Sequence, residues 1–190
     1  QNNTSLGYQA LTANVGGGRS VAVGSQALAA LEDGSENVAV GQQAMKTETS
    51  GQRSVAVGFY ALAVQNNTGA GTNAYNTAVG ALAGQAVTTA TQNTLIGGLA
   101  GDALTTGDNS TAIGFQALST ATTAVDNVAI GSGAGFAITT GSNNTAIGTA
   151  ALDANTTASN NTAVGFSALT SNTTASSSTA LGYAAGYYST

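Results

Sequence analysis

The chain lacks the side chains on which most catalytic and metal-binding chemistry depends. Its 190 residues include no Cys, His, Pro or Trp. Without His or Cys, a Ser-His or Cys-His catalytic triad and the usual ligand sets for zinc are excluded. The absence of Cys also means that disulfides do not stabilise the fold. We therefore expect no enzymatic activity and no metal or other cofactor.

Charge is also scarce. Charged residues make up 6% of the sequence, against about 25% in an ordinary globular domain. Three basic residues cannot neutralise a run of phosphates, which argues against nucleic-acid binding. No apolar run reaches the roughly 18 residues that a membrane helix requires, so we expect no membrane insertion.

A Gly preceded by Val, Ile or Leu recurs along the whole chain. Successive copies lie 17 residues apart, except that 22 residues separate Gly58 from Gly80. The residue three before is always Thr or Val, the residue four before is Asn or Ser, and the residue three after is Ala. These corner glycines, where we expect a turn with positive φ, are Gly7, Gly24, Gly41, Gly58, Gly80, Gly97, Gly114, Gly131, Gly148, Gly165 and Gly182.

The residues before each corner glycine alternate with period two and favour β-strand. A unit of 17 residues corresponds to one turn of a solenoid whose coils stack at the strand spacing, about 4.8 Å. The sequence thus predicts an all-β fold, a parallel β-solenoid (β-roll) of about eleven coils, forming a single domain over residues 1–190. We interpret it as a fragment of a longer fibre. The five extra residues of the long interval form an insertion within 63–75, expected as a surface bulge that leaves the stacking continuous.

Two columns are expected to fill one core volume. The residue four after the corner glycine is Leu or Met in seven coils and Gly in the other four. In three of the Gly coils the residue seven after the corner is aliphatic, which pairs Gly84 with Val87, Gly101 with Leu104, and Gly135 with Ile138. One large side chain would then suffice in each coil, with Leu99 as a second candidate for the space beside Gly101.

The residue two before the corner glycine is Ala in nine of eleven coils. If the flanking Thr and Val face the core, parity places this Ala row on the outside. A uniform row of small residues there would allow close approach of a second copy of the chain. We therefore expect a homotrimer, since fibres favour cyclic symmetry.

These repeats resemble two families. The unit Asn-Ser/Thr-Val/Thr-Ala-Val/Ile-Gly is similar to the head repeats of trimeric autotransporter adhesins, in which three chains each wind a left-handed β-roll. The runs Gly7-Tyr8-Gln9-Ala10-Leu11 and Gly114-Phe115-Gln116-Ala117-Leu118 look still more like repeats of phage and viral tail-fibre proteins. The resemblance covers the whole chain, although its period is longer than the usual adhesin coil. It implies a trimeric fibre.

Two ladders are predicted on the surface. Arg19, Glu36 and Arg53 share a column in consecutive coils and should form a row of ion pairs. A Thr pair recurs in six consecutive coils, and its first members form the candidate surface ladder Thr88, Thr105, Thr122, Thr139, Thr156 and Thr173. Flat Thr arrays resemble those of ice-binding solenoids, whereas a solvated face stabilised by Thr is the simpler interpretation.

The function predicted from the sequence is mechanical. We expect a structural segment of a phage or viral tail fibre, on the virion surface or otherwise extracellular, which projects a receptor-binding tip. Its expected partner is itself, with a cell-surface glycan or protein bound through a tip outside this segment. The alternatives are the head of a bacterial trimeric surface adhesin, which binds host or substrate directly, and an ice-binding solenoid.

Overall fold

The computed structural model describes residues 2–69 and 71–188, and these contain no helix. Eleven strands of three residues each lie directly before the corner glycines and form one parallel sheet in chain order. The strands are β1 (Thr4–Leu6), β2 (Val21–Val23), β3 (Val38–Val40), β4 (Val55–Val57), β5 (Thr77–Val79), β6 (Thr94–Ile96), β7 (Thr111–Ile113), β8 (Val128–Ile130), β9 (Thr145–Ile147), β10 (Thr162–Val164) and β11 (Thr179–Leu181). The predicted all-β parallel solenoid is confirmed, and its eleven strands bound ten turns.

The predicted direction of the strand side chains is wrong. The central residue of each strand from β2 to β11, such as Ala22 or Ala112, is buried inside the coil, whereas its two neighbours face outward. The interior is lined from the other side by the Ala three after and the residue four after the corner glycine, such as Ala27 and Leu28. This leaves room for little more than a methyl group on the strand. The Ala row is therefore core, and it gives no support to contact between chains.

The corner glycines have φ between 123° and 142°, a range that side chains rarely adopt. All of them except Gly182, in the last coil, also lie against the backbone of the next coil. A Cβ added at Gly114, for example, would lie 2.5 Å from the carbonyl oxygen of Gly131 and 2.6 Å from its carbonyl carbon. Both the turn and the close stacking of coils thus require Gly at this position.

A row of Asn and Ser side chains, four residues before each corner glycine, connects the coils. In the middle of the rod the amide oxygen of Asn93 accepts a hydrogen bond of 2.9 Å from the backbone N–H of Ser110. Its amide nitrogen donates to the carbonyl of Gly107, also at 2.9 Å. Asn127 and Asn144 repeat this arrangement. Because these side chains are buried, the bonds satisfy polar groups that would otherwise be costly inside the rod.

The shared core volume is observed directly in two coils. A Cβ at Gly84 would lie 3.3 Å from Cγ2 of Val87, and a Cβ at Gly135 would lie 2.9 Å from Cδ1 of Ile138. The residue seven after the corner therefore does fill space that Leu or Met fills elsewhere.

Beside Gly101 the space is filled by a residue that sequence reasoning did not consider. Leu95, the one Leu at the centre of a strand, is fully buried. A Cβ at Gly101 would lie 2.8 Å from its Cδ2, and a Cβ at Gly84 would lie 2.7 Å from its Cδ1. Leu99, the residue suggested for this space, has φ of 57° and is partly exposed. Leu95 therefore accounts for two of the glycines at once.

The five-residue insertion leaves the strand ladder unbroken. β4 and β5 pair across it, with Val55 opposite Thr77. Residues Thr68, Gly69, Gly71 and Asn73 are exposed, and residue 70 lies outside the described residues. The backbone N–H of Gln52 bonds to the carbonyl of Thr72 at 2.9 Å. The insertion is thus attached to the preceding coil while it projects from the rod.

Candidate functional surfaces

The outer face of the sheet is a surface that continues along the whole strand ladder. It consists of the two outward-facing columns of the strands, one of Val or Thr and one of Val, Ile or Leu. Most of these side chains are half-buried, and Ile96 and Val79 are 36% and 37% exposed. Eleven strands at about 4.8 Å extend this face over roughly 50 Å. The partly exposed Val, Ile and Leu column on this face is a candidate interaction site.

The predicted ion ladder is present. Glu36 lies between two arginines, with Oε1 3.0 Å from Nη1 of Arg19 and Oε2 2.8 Å from Nε of Arg53. Hydrogen bonds from Arg53 and then Arg19 hold the pKa of Glu36 below its usual range. Arg53 also donates to the hydroxyl of Tyr75 at 3.0 Å. Because the side chains are solvated, we interpret the ladder as a minor structural element.

The Thr pairs divide into two rows with different roles. Each hydroxyl of the first row, from Thr88 to Thr156, donates to the backbone carbonyl of the next Thr in the row, as from Thr105 to Thr122 at 2.9 Å. The second row is exposed and consists of Thr89, Thr106, Thr123, Thr140, Thr157 and Thr174. The hydroxyls of the first row, which is the candidate surface ladder, are therefore engaged in bonds along the rod. The second row is the one that is exposed to solvent.

Glu48 is a fully buried carboxylate in the column seven after the corner. Its Oε1 accepts from the backbone N–H of Gly51 at 2.7 Å, and its Oε2 accepts from the amide of Gln65 at 2.9 Å. Gln65 in turn accepts from the amide of Asn76 at 2.9 Å. The network replaces the aliphatic filling of other coils, and Asn155 likewise accepts from the backbone N–H of Ala158. The polar residues of this column, which the sequence did not place inside, are thus core residues that hold the loop.

Exposed aromatic rings line a further column, the residue directly after each corner glycine. We call it the aromatic column: Tyr8, Ser25, Gln42, Phe59, Ala81, Gly98, Phe115, Ser132, Thr149, Phe166 and Tyr183. Its rings are between 48% and 80% exposed. Phe166 and Tyr183 stack across neighbouring coils with centroids 5.4 Å apart and planes 8° apart. In the tenth and eleventh coils, the column therefore brings successive rings into contact.

The described residues contain no group of three or more carboxylates placed to hold a metal ion. They also contain no helix long and apolar enough to cross a membrane. Among the carboxylates, burial raises the pKa of Asp153, and Asp102 accepts from the hydroxyl of Ser119 at 2.6 Å. In the part of the chain that the structure describes, these two residues take no part in an arrangement that suggests acid–base chemistry.

The fold and its surfaces define a parallel β-solenoid repeat protein whose coils share one register. No family model matches the chain, and no curated protein or solved structure matches it. Its function therefore has to be inferred from the surfaces described above.

Proposed function

We propose that this chain is a structural segment of an extracellular or virion fibre, assembled as a homotrimer, which projects a receptor-binding tip. The observation that supports it best is the outer sheet face, which runs without interruption across eleven strands in one register. A mechanical role requires a stiff, uniform rod, and a continuous backbone ladder supplies one.

The trimer contact is assigned to the outer sheet face in place of the Ala row. In a single chain this face leaves a row of Val and Ile side chains partly in water along the whole rod. Packing against two further copies would remove them from water and stabilise the assembly by about 25 cal/mol for each Å² buried. A cyclic arrangement of three parallel rods gives every copy the same environment.

Light scattering on the purified segment tests the assembly. We expect a trimer at micromolar concentration, and a monomer when Ile113 and Ile147 are both replaced by Lys, because two buried ammonium groups would oppose contact. The matched control places Lys at Thr106 and Thr140 on the exposed Thr row, which should leave the trimer intact. A stable, folded wild-type monomer at this concentration would refute the trimer.

A deletion in the full-length protein tests the mechanical role. Removing residues 115–165 excises three complete repeats of 17 residues and joins Gly114 to Phe166 in register. The rod should shorten by roughly 14 Å in electron micrographs while attachment to the target cell persists. Attachment by the isolated segment, without any tip, would instead favour the adhesin alternative.

The ice-binding alternative stays a prediction. It would rest on the exposed second Thr row, and thermal hysteresis of a solution of the segment would be its signature. Replacing Thr123 and Thr140 by Lys should abolish such hysteresis if that row contacts ice.

A further inference from the structure

Four of the five rings of the aromatic column recur with a regular period, and the fifth, Tyr183, stacks on Phe166 from the next coil. Tyr8, Phe59, Phe115 and Phe166 belong to the first, fourth, seventh and tenth coils. Neighbouring rings are thus separated by three coils, or about 14 Å at the strand spacing. The insertion between Gly58 and Gly80 does not disturb this period, because the strands on either side of it pair in the common register.

The positions between the rings are small or polar. Ser25 and Gln42 lie between the first two rings, Ala81 and Gly98 between the next two, and Ser132 and Thr149 between the last two. The ring of Phe115 lies over Gly98, since a Cβ there would be 3.6 Å from its Cδ2. From the first to the tenth coil, the column is therefore a strip of small or polar side chains with a ring at every third coil.

Hydrogen-bonding groups accompany the strip. The adjoining residues Gln9, Gln26 and Gln43 form a ladder in which the amide of Gln26 donates to Gln9 at 3.0 Å and that of Gln43 donates to Gln26 at 2.9 Å. Neither the aromatic column nor the column that follows it contains a charged residue. A neutral partner is thus favoured, and a polyanion such as a nucleic acid is disfavoured.

Exposed rings spaced along an uncharged strip, with amides and hydroxyls between them in the first and last intervals, match the surface of a sugar chain. A pyranose ring has an apolar face of C–H groups that packs on an aromatic ring, and equatorial hydroxyls that bond to amides and hydroxyls at its sides. In an extended, equatorially linked chain each sugar advances by about one coil spacing. Such a chain lying along the rod would place every third sugar over a ring.

We propose that the aromatic column binds a linear, neutral polysaccharide of extended β-1,4-linked pyranoses, lying parallel to the rod axis. The site is on the side of the rod and is independent of any tip, so it holds for a fibre and for an adhesin alike. Each ring contributes only weakly to the binding free energy. Because the rings are regularly spaced, a longer sugar chain contacts more of them at once, and affinity therefore depends on the length of the sugar chain.

Isothermal titration with β-1,4-linked manno- and xylo-oligosaccharides tests the length dependence, using the segment in its solution oligomeric state. Two rings three coils apart require an oligomer of four sugars, and three rings require seven. Affinity should therefore increase in steps near these lengths, and soluble glucomannan should bind more tightly than any short oligomer. Dextran, whose α-linked chain is not extended, is the control and should not bind. No binding of any β-1,4-linked chain, or equal binding of dextran, would overturn the proposal.

Variants test the spacing. Phe115→Ala should weaken glucomannan binding by about tenfold, the value of one aromatic stacking contact, with an unchanged melting temperature because the ring is exposed. The matched variant combines Phe115→Ala with Ser132→Phe, which keeps the number of rings and shifts one of them by a single coil. It should bind no better than Phe115→Ala. If the shifted variant binds as tightly as the wild type, the spacing of the rings does not determine binding. If the rings are instead buried between copies of the chain, they will be protected from solvent in the oligomer.

Discussion

The exchange of core residues between two columns can be tested by a double-mutant cycle at Gly135 and Ile138. Gly135→Leu alone should overpack the site, because even a Cβ there would lie 2.9 Å from Cδ1 of Ile138 and 3.1 Å from Cδ2 of Leu118. We expect a cost of about 1–3 kcal/mol. The backbone itself is suitable, since φ is 60° at Gly135 and 52° at Leu152.

Ile138→Asn alone should leave a void and cost about 2–5 kcal/mol. The double variant recreates the coil that contains Leu152 and Asn155, in which the new amide can accept from the loop backbone as Asn155 does. The two changes should therefore compensate, with a coupling energy of about 1–3 kcal/mol in favour of the double variant.

Thermal melting of the four proteins measures this coupling, at about 2–4 °C for each kcal/mol in a chain of this size. The control pairs Gly135→Leu with Leu104→Asn, two coils away, and these changes should add. Simple additivity at Gly135 and Ile138 would refute the shared core volume. The site is preferable to Gly101, where Leu95 would obstruct any added side chain.

Four further substitutions have clear expected outcomes. Gly97→Ala should destabilise the rod by about 3 kcal/mol or more, since its Cβ would lie 2.7 Å from the next corner glycine's carbonyl carbon. Its neighbour Gly98→Ala should stay within about 0.5 kcal/mol, and chemical denaturation compares the two. Glu48→Ala should cost about 3 kcal/mol, because it leaves buried donors without a partner, and hydrogen exchange should locate the loss in the third and fourth coils. Burial raises the pKa of Asp153, so its contribution to stability is present at pH below the usual Asp value and is lost as the pH rises through the raised pKa. Asp153→Asn should remove that dependence from a series of melting curves, and an unchanged dependence would contradict the assignment.

Much of the architecture is predictable because the sequence repeats. The glycine period gives the coils, and the alternation before each glycine gives the strands. The exchange between Gly135 and Ile138 could also be predicted, because a large residue appears in one column where the other column has Gly. Which side chains of each strand face the interior could not be predicted. A three-residue strand has one central side chain and two flanking ones, and period two alone does not say which face is inside. Which face lies inside depends on Leu28 and its equivalents, because these residues line the opposite wall of the coil and leave space for Ala only.

The functional surfaces were predicted less well for a related reason. The first Thr row was visible as a column, but the bond of each hydroxyl to the next coil depends on side-chain geometry. The period of the rings could have been found from the sequence, since Tyr8, Phe59, Phe115 and Phe166 all follow corner glycines. It requires the insertion to be counted as part of one coil, which the pairing of β4 with β5 establishes.

Leu95 has a consequence for how such a rod changes length over generations. Repetitive coding sequences gain and lose units by slippage, and in most of this rod the loss of one unit would join two coils that fit. The coils that meet at Leu95 are different, because its side chain occupies the space left by Gly84 and Gly101 together. Loss of the strand that carries Leu95 would leave a void beside Gly84, and copying it beside a coil with Leu in place of Gly would produce a clash. These coils should therefore be inherited as a block, while the stretches on either side are free to lengthen and shorten.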